Sequence, residues 1–372
     1  MADNKSWSWD EMTDAFRKIG GAIENLRPGD GDAGDDSKPA GPGLFAVDPL
    51  KEIRIYVPPK ALVPAALRGA VVAIGNFDGV HRGHRALIAE AKVQAEARKA
   101  PLAVLSFEPH PQEYFRALRG ESTQSFRLTP LRAKARLLAD LGVDALFALT
   151  FDAEMAGRTP QDFVQTVLLE ALSSGGVVVG HDFEFGKGRA GNLAALSYMG
   201  EMEGFTVTAF DTVTAAGDEK ISSTLIRQLL KDAKPEDAAR LLGHWWAVEA
   251  RVEHGDARGR TMGFPTANMH LGHCLAPAFG VYAVRVNILD NDKVVSRHDG
   301  VANFGIRPMY QVNVPLMETH LFDFDGDLYG KYLSVELVRW IRAEAKFPDL
   351  EALIAQIAAD AAKAREILAK TP

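Results

Sequence analysis

The chain has 372 residues, of which 47% are hydrophobic and 24% are charged, and its formal net charge at pH 7 is −7. This composition is typical of a soluble globular protein with two or three domains. The negative charge excludes a general attraction to nucleic acid or to an anionic membrane, and no apolar run is long enough to cross a bilayer. We therefore expect no nucleic-acid partner and no membrane partner, and any anionic ligand must be held by a local site.

The first 45 residues differ in composition from the rest of the chain. Between residues 8 and 26, apolar residues recur at steps of three and four, and Ser8 with Glu11 has the pattern of a capping box, which predicts an amphipathic helix. Arg27–Gly43 is rich in Pro, Gly, Asp and Ala and predicts a disordered acidic linker. The pattern leaves open whether the helix docks on the body of the chain, contacts a partner or a second copy as a homo-oligomer, or makes no fixed contact.

The N-terminus lacks the apolar segment of a secretory signal, and the one cysteine, Cys274, cannot form an internal disulfide. A cytoplasmic location is therefore expected. Cys274 follows His273, but adjacency in sequence does not create a catalytic pair. We expect this cysteine to be a small, partly buried hydrophobic residue.

From residue 53 to residue 233, short apolar runs alternate with helical patterns. The runs VVAIG, LAVLSF, ALFALTF and GVVVG have the length and composition of strands buried on both faces. Thr129-Pro130 and Thr159-Pro160 each place a capping residue before a proline at the first helical position. This alternation predicts a Rossmann-like α/β domain with a parallel sheet between helices.

The stretch GNFDGVHRGH, Gly75 to His84, joins the first of these runs to a helix. In an open parallel sheet, ligands bind beyond the carboxyl ends of the strands, where a helix N-terminus favours an anion. Gly75, Gly79 and Gly83 let a ligand approach the backbone, and His81 and His84 share one face of the first helical turn. The pattern favours a phosphate site, and the alternatives are a structural turn or a metal site.

After residue 236 the strands are separated by turns instead of helices. GVYAVRVNIL alternates between apolar and polar positions, Asp290–Asp292 has the composition of a hairpin turn, and YLSVELVRWI is a further strand. The last segment has one apolar helical face. This pattern predicts an antiparallel Greek-key β-barrel with a C-terminal helix over residues 236–370.

Within this second region, the segment GFPTAN contains two hard oxygen ligands, the hydroxyl of Thr266 and the amide carbonyl of Asn268. Both are suited to binding Mg²⁺ together with nucleotide phosphates, and the alternative is a surface turn followed by a strand. Asp323, Asp325 and Asp327 do not follow the register of an EF-hand calcium loop, so we expect them to be solvated hairpin residues.

The stretch Gly75–His84 resembles the HxGH signature of the nucleotidylyltransferase superfamily, in the form found in prokaryotic bifunctional riboflavin kinase/FAD synthetases. LSFEPHPQEYF, VGHDFEFGKGRAGN and ISSTLIR match that family in the same order. The resemblance implies transfer of AMP from ATP to the phosphate of FMN, giving FAD and pyrophosphate, with Mg²⁺ and with His81 and His84 as catalytic residues. The nucleotide-binding residues that it implies are Gly75, Asn76, Phe77, Asp78, Gly79, His81, His84, Ser222, Ser223, Thr224 and Arg227. The flavin-binding residues that it implies are Asp182, Phe183 and Phe185.

The segment GRTMGFPTAN resembles the riboflavin kinase motif, and GVANFGIRP, ETHLFDFDGDLYG and RAEAKF match the same family in order. The resemblance implies that Glu318 is the general base for the riboflavin 5′-hydroxyl and that Thr266 and Asn268 bind the magnesium nucleotide. The kinase nucleotide-binding residues that it implies are Gly259, Arg260, Gly263, Thr266 and Asn268, and the flavin-binding residues are Arg307 and Arg342. The departures from the family pattern are Glu184, Leu225 and Met309.

These motifs predict a two-step enzyme whose small-molecule partners are riboflavin, FMN and ATP. The C-terminal domain would convert riboflavin to FMN, and the N-terminal domain would convert FMN to FAD. A second hypothesis keeps the HxGH domain but gives it another acceptor, such as pantetheine phosphate or a nicotinamide nucleotide. A third hypothesis is a flavin or nucleotide sensor that signals through the N-terminal helix.

Overall fold

A computed structural model describes residues 54–56, 63–121, 126–211, 213, 220–254, 263–306 and 315–371. The predicted N-terminal helix and acidic linker lie outside these residues and stay predictions. The described residues form two compact units, and each unit takes in separate stretches of the chain. The first unit contains residues 54–56, 63–77, 85–121 and 137–211, and the second contains 78–84, 126–136 and the described part of 213–371.

A six-stranded sheet with the order β1-β4-β3-β2-β5-β6 forms the centre of the first unit, and all its neighbouring strands are parallel. The strands are Arg54–Tyr56 (β1), Val71–Ile74 (β2), Leu102–Glu108 (β3), Ala145–Thr150 (β4), Gly176–Gly180 (β5) and Thr206–Phe210 (β6). Every residue of β2 is buried, as expected for a central strand of such a sheet. The prediction of an α/β domain with a parallel sheet is confirmed.

The helices that alternate with these strands begin at polar caps or at prolines. Thr159 accepts the N–H of Asp162 in a capping box, and Asn192 accepts the N–H of Ala195. The helices are Arg82–Arg98 (α1), Pro111–Leu118 (α2), Leu131–Ala139 (α3), Ala153–Gly157 (α4), Pro160–Asp162 (α5), which continues as the π-helical Phe163–Ala171, and Leu193–Glu203 (α6).

An antiparallel six-stranded sheet with the order β7-β12-β9-β10-β11-β8 forms a nearly closed barrel in the second unit. The strands are Ala247–Arg251 (β7), Ala267–His270 (β8), Gly280–Asp290 (β9), Lys293–Ile306 (β10), Pro315–Leu321 (β11) and Tyr332–Arg342 (β12). The two outer strands meet where the N–H of Glu253 donates to the carbonyl of Asn268 at 2.9 Å. The prediction of an antiparallel barrel is confirmed.

Among the described residues, three helices lie wholly within the second unit: Ser223–Lys231 (α7), Pro235–Leu242 (α8) and Leu350–Lys370 (α9). The C-terminal α9 packs its apolar face on a small cluster that includes Val281, Val301 and Phe322. Asp349 caps α9 by accepting the N–H of Ala352, which confirms the predicted C-terminal helix. In the part of the chain that the structure describes, no helix combines the length and apolar character needed to span a membrane.

Candidate active sites

The glycine-rich stretch forms a strained turn between β2 and α1. Phe77 and Val80 have positive φ angles of 48° and 41°, although both side chains are fully buried. This region of φ is unfavourable for a β-branched residue and persists only where the surroundings enforce it. Gly79 has a φ of 87°, and a Cβ added to it would lie 2.9 Å from Cδ1 of Leu128. The turn therefore requires glycine at this position for both conformation and space.

Asp78 organises this turn through its buried carboxylate. Oδ1 accepts the N–H groups of Leu128 and Thr129 at 3.0 and 2.9 Å, and Oδ2 lies 3.1 Å from the same Leu128 nitrogen. The hydroxyl of Thr129 in turn accepts the N–H of Gly79 at 2.7 Å. The Asp78 side chain thus holds the backbone of Leu128 and Thr129, and its direct role in nucleotide binding stays a prediction.

Ser223 of the ISST segment and Arg227 both bind the same aspartate. Ser222 caps α7 by accepting the N–H of Leu225, and the hydroxyl of Ser223 donates to the backbone carbonyl of Asp78 at 2.8 Å. Arg227 donates from Nη2 to the Asp78 carboxylate at 2.5 Å and from Nε to the carbonyl of Phe126 at 2.9 Å. Two guanidinium nitrogens of Arg227 are therefore engaged within the protein, while Thr224 is exposed.

The two histidines of the signature stack on each other, with ring centroids 3.6 Å apart. Burial lowers the pKa of His81 from 6.5 to about 4. Burial also lowers the pKa of His84 well below 6.5, and the charges of His81 and Lys134 add to the effect. Nδ1 of His81 accepts the N–H of His84 at 3.2 Å, so the neutral ring carries its proton on Nε2. The pair is suited to donate hydrogen bonds as neutral imidazoles.

In the first unit, the start of the glycine-rich stretch is anchored to β3. The N–H of Gly75 donates to the carbonyl of Leu105 at 3.1 Å, and the hydroxyl of Ser106 donates to the carbonyl of Asn76 at 3.0 Å. β2 and β5 are parallel neighbours, so the segments that follow them leave the sheet at the same edge. One of these segments begins at Gly75, and the other contains the predicted flavin-binding residues.

The predicted flavin-binding residues of the first unit follow β5. Phe183 and Phe185 stack with centroids 5.4 Å apart, and Asp182 is exposed. Glu184, which departs from the family pattern, forms an exposed ion pair with Arg189 at 3.3 Å. The other departure in this half, Leu225, packs partly buried against the hydrophobic core of the second unit.

The register of the barrel places three polar side chains in one row. Glu318 on β11 pairs with Asn268 on β8 and with Asn303 on β10. Residues directly opposite one another on neighbouring strands project from the same face of a sheet. Glu318 and Asn303 are partly buried, and Asn268 is 6% exposed. The row combines a carboxylate with two amides at the end of the barrel sheet where Thr266 precedes β8.

The amide oxygen of Asn268 is a buried acceptor with no hydrogen-bond partner among the described residues. A buried polar atom of this kind is costly unless a ligand satisfies it. An amide carbonyl is a hard oxygen donor, so Thr266 and Asn268 fit a site for Mg²⁺. The predictions for Gly259, Arg260, Arg307 and Met309 lie outside the described residues, and Gly263 is exposed with a φ of 81°.

Arg342, predicted to bind flavin, is tied to the C-terminal helix. Its Nε and Nη2 donate to the buried carboxylate of Asp360 at 3.0 and 2.6 Å, and its Nη1 donates to the carbonyl of Ala343. Gln356 donates to the same carboxylate at 2.9 Å. All three guanidinium nitrogens of Arg342 are thus engaged within the second unit, and its flavin-binding role stays a prediction.

Sequence reasoning missed several residues that the structure brings to these sites. The sequence predicts Thr129 as a helix cap but does not indicate that its hydroxyl accepts the N–H of Gly79. His244 and Trp246 contact the same region through backbone carbonyls. Asn303 lies in the segment GVANFGIRP. It is a polar residue between buried strand residues, and this pattern could have identified it as a site residue.

Comparisons with known proteins match both regions of the chain to known families. The FAD synthetase family matches residues 63–225, and the riboflavin kinase family matches residues 242–368. The chain is 43% identical over 310 residues to the bifunctional riboflavin kinase/FMN adenylyltransferase of Escherichia coli K12, which covers 83% of this chain and 96% of that protein. The proteins of the same name from Haemophilus influenzae and Listeria monocytogenes are each 38% identical, over 80% and 81% of this chain and over 94% and 93% of their own lengths. A crystal structure titled as a macrolide-efflux protein from Streptococcus pneumoniae has a TM-score of 0.72 and 30% identity, and covers 83% of this chain and 97% of that chain.

Proposed function

The chain belongs to the bifunctional riboflavin kinase/FMN adenylyltransferase family, and from this membership we propose that it makes FMN from riboflavin and then FAD from FMN. ATP is the substrate of both reactions. The first gives FMN and ADP, and the second gives FAD and pyrophosphate. The fold supports this proposal, because each of the two family matches contains its own candidate site. The first contains His81 and His84, and the second contains the row of Asn268, Glu318 and Asn303.

We assign the kinase reaction to the row of Asn268, Glu318 and Asn303 in the barrel. Glu318 would accept the proton of the riboflavin 5′-hydroxyl while that oxygen bonds to the γ-phosphorus and the bond to ADP breaks. Mg²⁺ held by Thr266 and Asn268 would neutralise charge on the nucleotide phosphates. The single observation that carries this assignment is the register that sets Glu318 directly opposite Asn268, whose buried amide oxygen lacks a described partner.

We assign the adenylyl transfer to the HxGH region. A phosphate oxygen of FMN would attack the α-phosphorus of ATP, and the bond to pyrophosphate would break, so no protein nucleophile is required. The work of the protein is then alignment and stabilisation of charge. His81, neutral and protonated at Nε2, is suited to donate a hydrogen bond to a phosphate oxygen.

The riboflavin kinase match in the second half of the chain argues against an acceptor other than FMN for the HxGH region. A pantetheine or nicotinamide nucleotide acceptor leaves the riboflavin kinase match at residues 242–368 without a role. A sensor without activity has no need of the Glu318 carboxylate opposite Asn268.

Incubation with riboflavin, ATP and Mg²⁺, followed by chromatography, tests the proposal. Wild-type protein is expected to produce both FMN and FAD. Glu318→Gln is expected to stop FMN formation but to keep FAD formation from supplied FMN, and His84→Ala is expected to do the converse. Absence of both products from the wild-type protein would refute the proposal, and kinase activity in Glu318→Gln would exclude Glu318 as the base.

A further inference from the structure

We propose that Trp246 and His244 are positioning residues for adenylyl transfer, because they hold the Asp78–Gly79 step of the HxGH turn. The inference rests on the function proposed above for that turn. Trp246 and His244 lie within the riboflavin kinase match at residues 242–368, whereas the turn lies within the FAD synthetase match at residues 63–225. The kinase part of the chain therefore supplies support for the other reaction.

Trp246 acts through Leu128. Its indole is 1% exposed, and Nε1 donates to the carbonyl of Leu128 at 2.8 Å in a fully buried hydrogen bond. The N–H of the same Leu128 donates to the carboxylate of Asp78 at 3.0 Å. Both backbone polar groups of Leu128 are thus fixed, one by the indole and one by the aspartate. A buried hydrogen bond of this kind is costly to break, because the carbonyl of Leu128 would then be buried without a donor and without access to water.

His244 acts on Gly79 directly. Its Nε2 lies 3.0 Å from the carbonyl oxygen of Gly79, and its Nδ1 lies 3.0 Å from the carbonyl oxygen of Trp245. A carbonyl oxygen only accepts hydrogen bonds, and a neutral imidazole carries one N–H, so the ring can donate to only one of these two carbonyls at a time. In the proposed tautomer the proton is on Nε2, which donates to Gly79. Because Thr129 accepts the N–H of Gly79, both backbone polar groups of this glycine are engaged. Leu128 and Leu242 fill the space beside its Cα.

These contacts matter because they precede a strained residue and a candidate catalytic histidine. Val80 keeps its left-handed conformation directly after Gly79, and His81 comes next. A turn of this kind holds its geometry only while its neighbours enforce it. Adenylyl transfer depends on alignment, and a displacement of about 1 Å costs on the order of 100-fold in rate. Loss of the indole or imidazole contact should therefore reduce turnover more than it reduces binding of ATP.

Trp246→Phe tests the role of the indole, since it keeps an aromatic ring but removes the N–H. Trp340→Phe is the matched control, because Nε1 of Trp340 also donates to a backbone carbonyl, that of Phe279 at 3.3 Å, and Phe279 lies outside residues 78–84 and 126–129. In Trp246→Phe, kcat for FAD formation from FMN is expected to fall about tenfold, with KM for ATP and kinase activity each changed less than about twofold. Trp340→Phe is expected to keep kcat for FAD formation. An unchanged kcat in Trp246→Phe, or an equal loss of both activities, would overturn the proposal.

His244→Gln and His244→Ala form a second pair. The Gln amide N–H can replace Nε2 as the donor to Gly79, so Gln is expected to keep more FAD formation than Ala. Equal activity of the two variants would overturn the role of His244.

Amide hydrogen exchange of peptides covering residues 78–84 provides a readout that does not depend on either reaction. Exchange in this segment is expected to be faster in Trp246→Phe than in wild type or in Trp340→Phe. Equal exchange in all three proteins would refute the positioning role. Wild-type protein that makes no FAD would instead refute the proposed function, while the exchange measurement still decides this inference.

Discussion

The two ring nitrogens of His81 have different roles, one in the first turn of α1 and the other at the candidate phosphate site. Nδ1 accepts the N–H of His84, and the proton is on Nε2. Burial keeps the ring neutral by lowering its pKa to about 4. A neutral donor avoids the strong desolvation of a buried imidazolium and still offers an N–H to a phosphate oxygen.

The lowered pKa of His81 predicts how stability depends on pH. The pKa is about 4 in the folded protein and 6.5 in the unfolded chain, so the unfolded chain takes up the proton first as the pH falls. The contribution of His81 is complete above pH 6.5 and is lost progressively between 6.5 and 4. Between neutral pH and a pH of about 5, wild type is expected to lose about 2 kcal/mol of unfolding free energy from this residue.

His81→Asn removes this titration and keeps an acceptor for the N–H of His84. Urea denaturation of wild type and variant at neutral pH and at a pH of about 5 measures the difference. The unfolding free energy of the variant is expected to fall less than that of wild type, because His84 still titrates in both. Equal losses in the two proteins would contradict the buried, neutral state of His81.

Substitution of Asn268 is expected to lower kinase activity without lowering the stability of the fold. Its buried amide oxygen has no described hydrogen-bond partner, so Asn268→Leu removes a costly polar atom without breaking a strong hydrogen bond. The melting temperature is expected to be equal to or above that of wild type, while riboflavin kinase activity falls about 100-fold or more. Thermal melts and FMN formation measure the two effects.

Thr319→Val is the matched control for this prediction. Oγ1 of Thr319 is also buried without a hydrogen-bond partner in the described part of the chain, and Thr319 follows Glu318 on β11, so it faces the other side of the strand. This variant is expected to keep both stability and kinase activity. A lowered melting temperature in Asn268→Leu, with activity lost in proportion, would assign Asn268 a purely structural role.

At the scale of elements, the strands and helices were predictable because their signals are local. VVAIG and GVVVG became Val71–Ile74 and Gly176–Gly180, since an apolar run bounded by glycine is typical of a strand buried in a parallel sheet. The helix caps at Thr159, Ser222 and Asp349 also follow from residues within four positions. Periodicity and capping therefore give most of the fold.

The stretch Phe126–Thr129 was not predictable, because its contacts are distant in sequence and leave no period. Trp246 is 118 positions away from the carbonyl that it binds. The N–H of Arg127 donates to the carbonyl of His273, and its carbonyl accepts the N–H of Leu275. For the same reason, the motifs indicated that Asp78 and Arg227 matter but did not reveal that they bind each other.

The C-terminal helix offers a test of how burial changes the value of an ion pair. Arg342 with Asp360 and Arg365 with Asp323 both use two nitrogens of the arginine. The Asp360 side chain is 7% exposed, whereas that of Asp323 is 79% exposed. Asp360→Ala leaves a partly buried guanidinium without its carboxylate and is expected to cost about 3 kcal/mol of unfolding free energy.

Asp323→Asn is the control for this prediction, because Asn tolerates the left-handed φ of 53° at this position, and it is expected to leave the unfolding transition nearly unchanged because water screens the pair. Denaturant unfolding of both variants gives the comparison. Equal destabilisation by the two substitutions would show that burial does not determine the contribution of these pairs.

At the scale of the whole molecule, the sequence predicts domains at 53–233 and 236–370, but one hydrophobic core contains residues from both sides of that limit. Leu128, Ile226 and Leu230 belong to the same buried cluster as Trp246 and the barrel residue Val335. The second unit also takes in residues 78–84 and 126–136. No single cut between residues 233 and 236 leaves this core intact.

Expression of the two predicted domains as separate chains tests this shared core. The fragment 236–372 loses Leu128, Ile226 and Leu230, which are each at most 1% exposed in the whole chain. Burial of each such side chain contributes about 1.5–3 kcal/mol to stability. The fragment is therefore expected to melt at a clearly lower temperature than the corresponding transition of the full chain. Mixing it with the fragment 53–233 should raise that temperature, because the two fragments carry complementary parts of one core. An isolated barrel fragment that melts at the temperature of the full chain would show that the core residues from the other side contribute nothing to its stability.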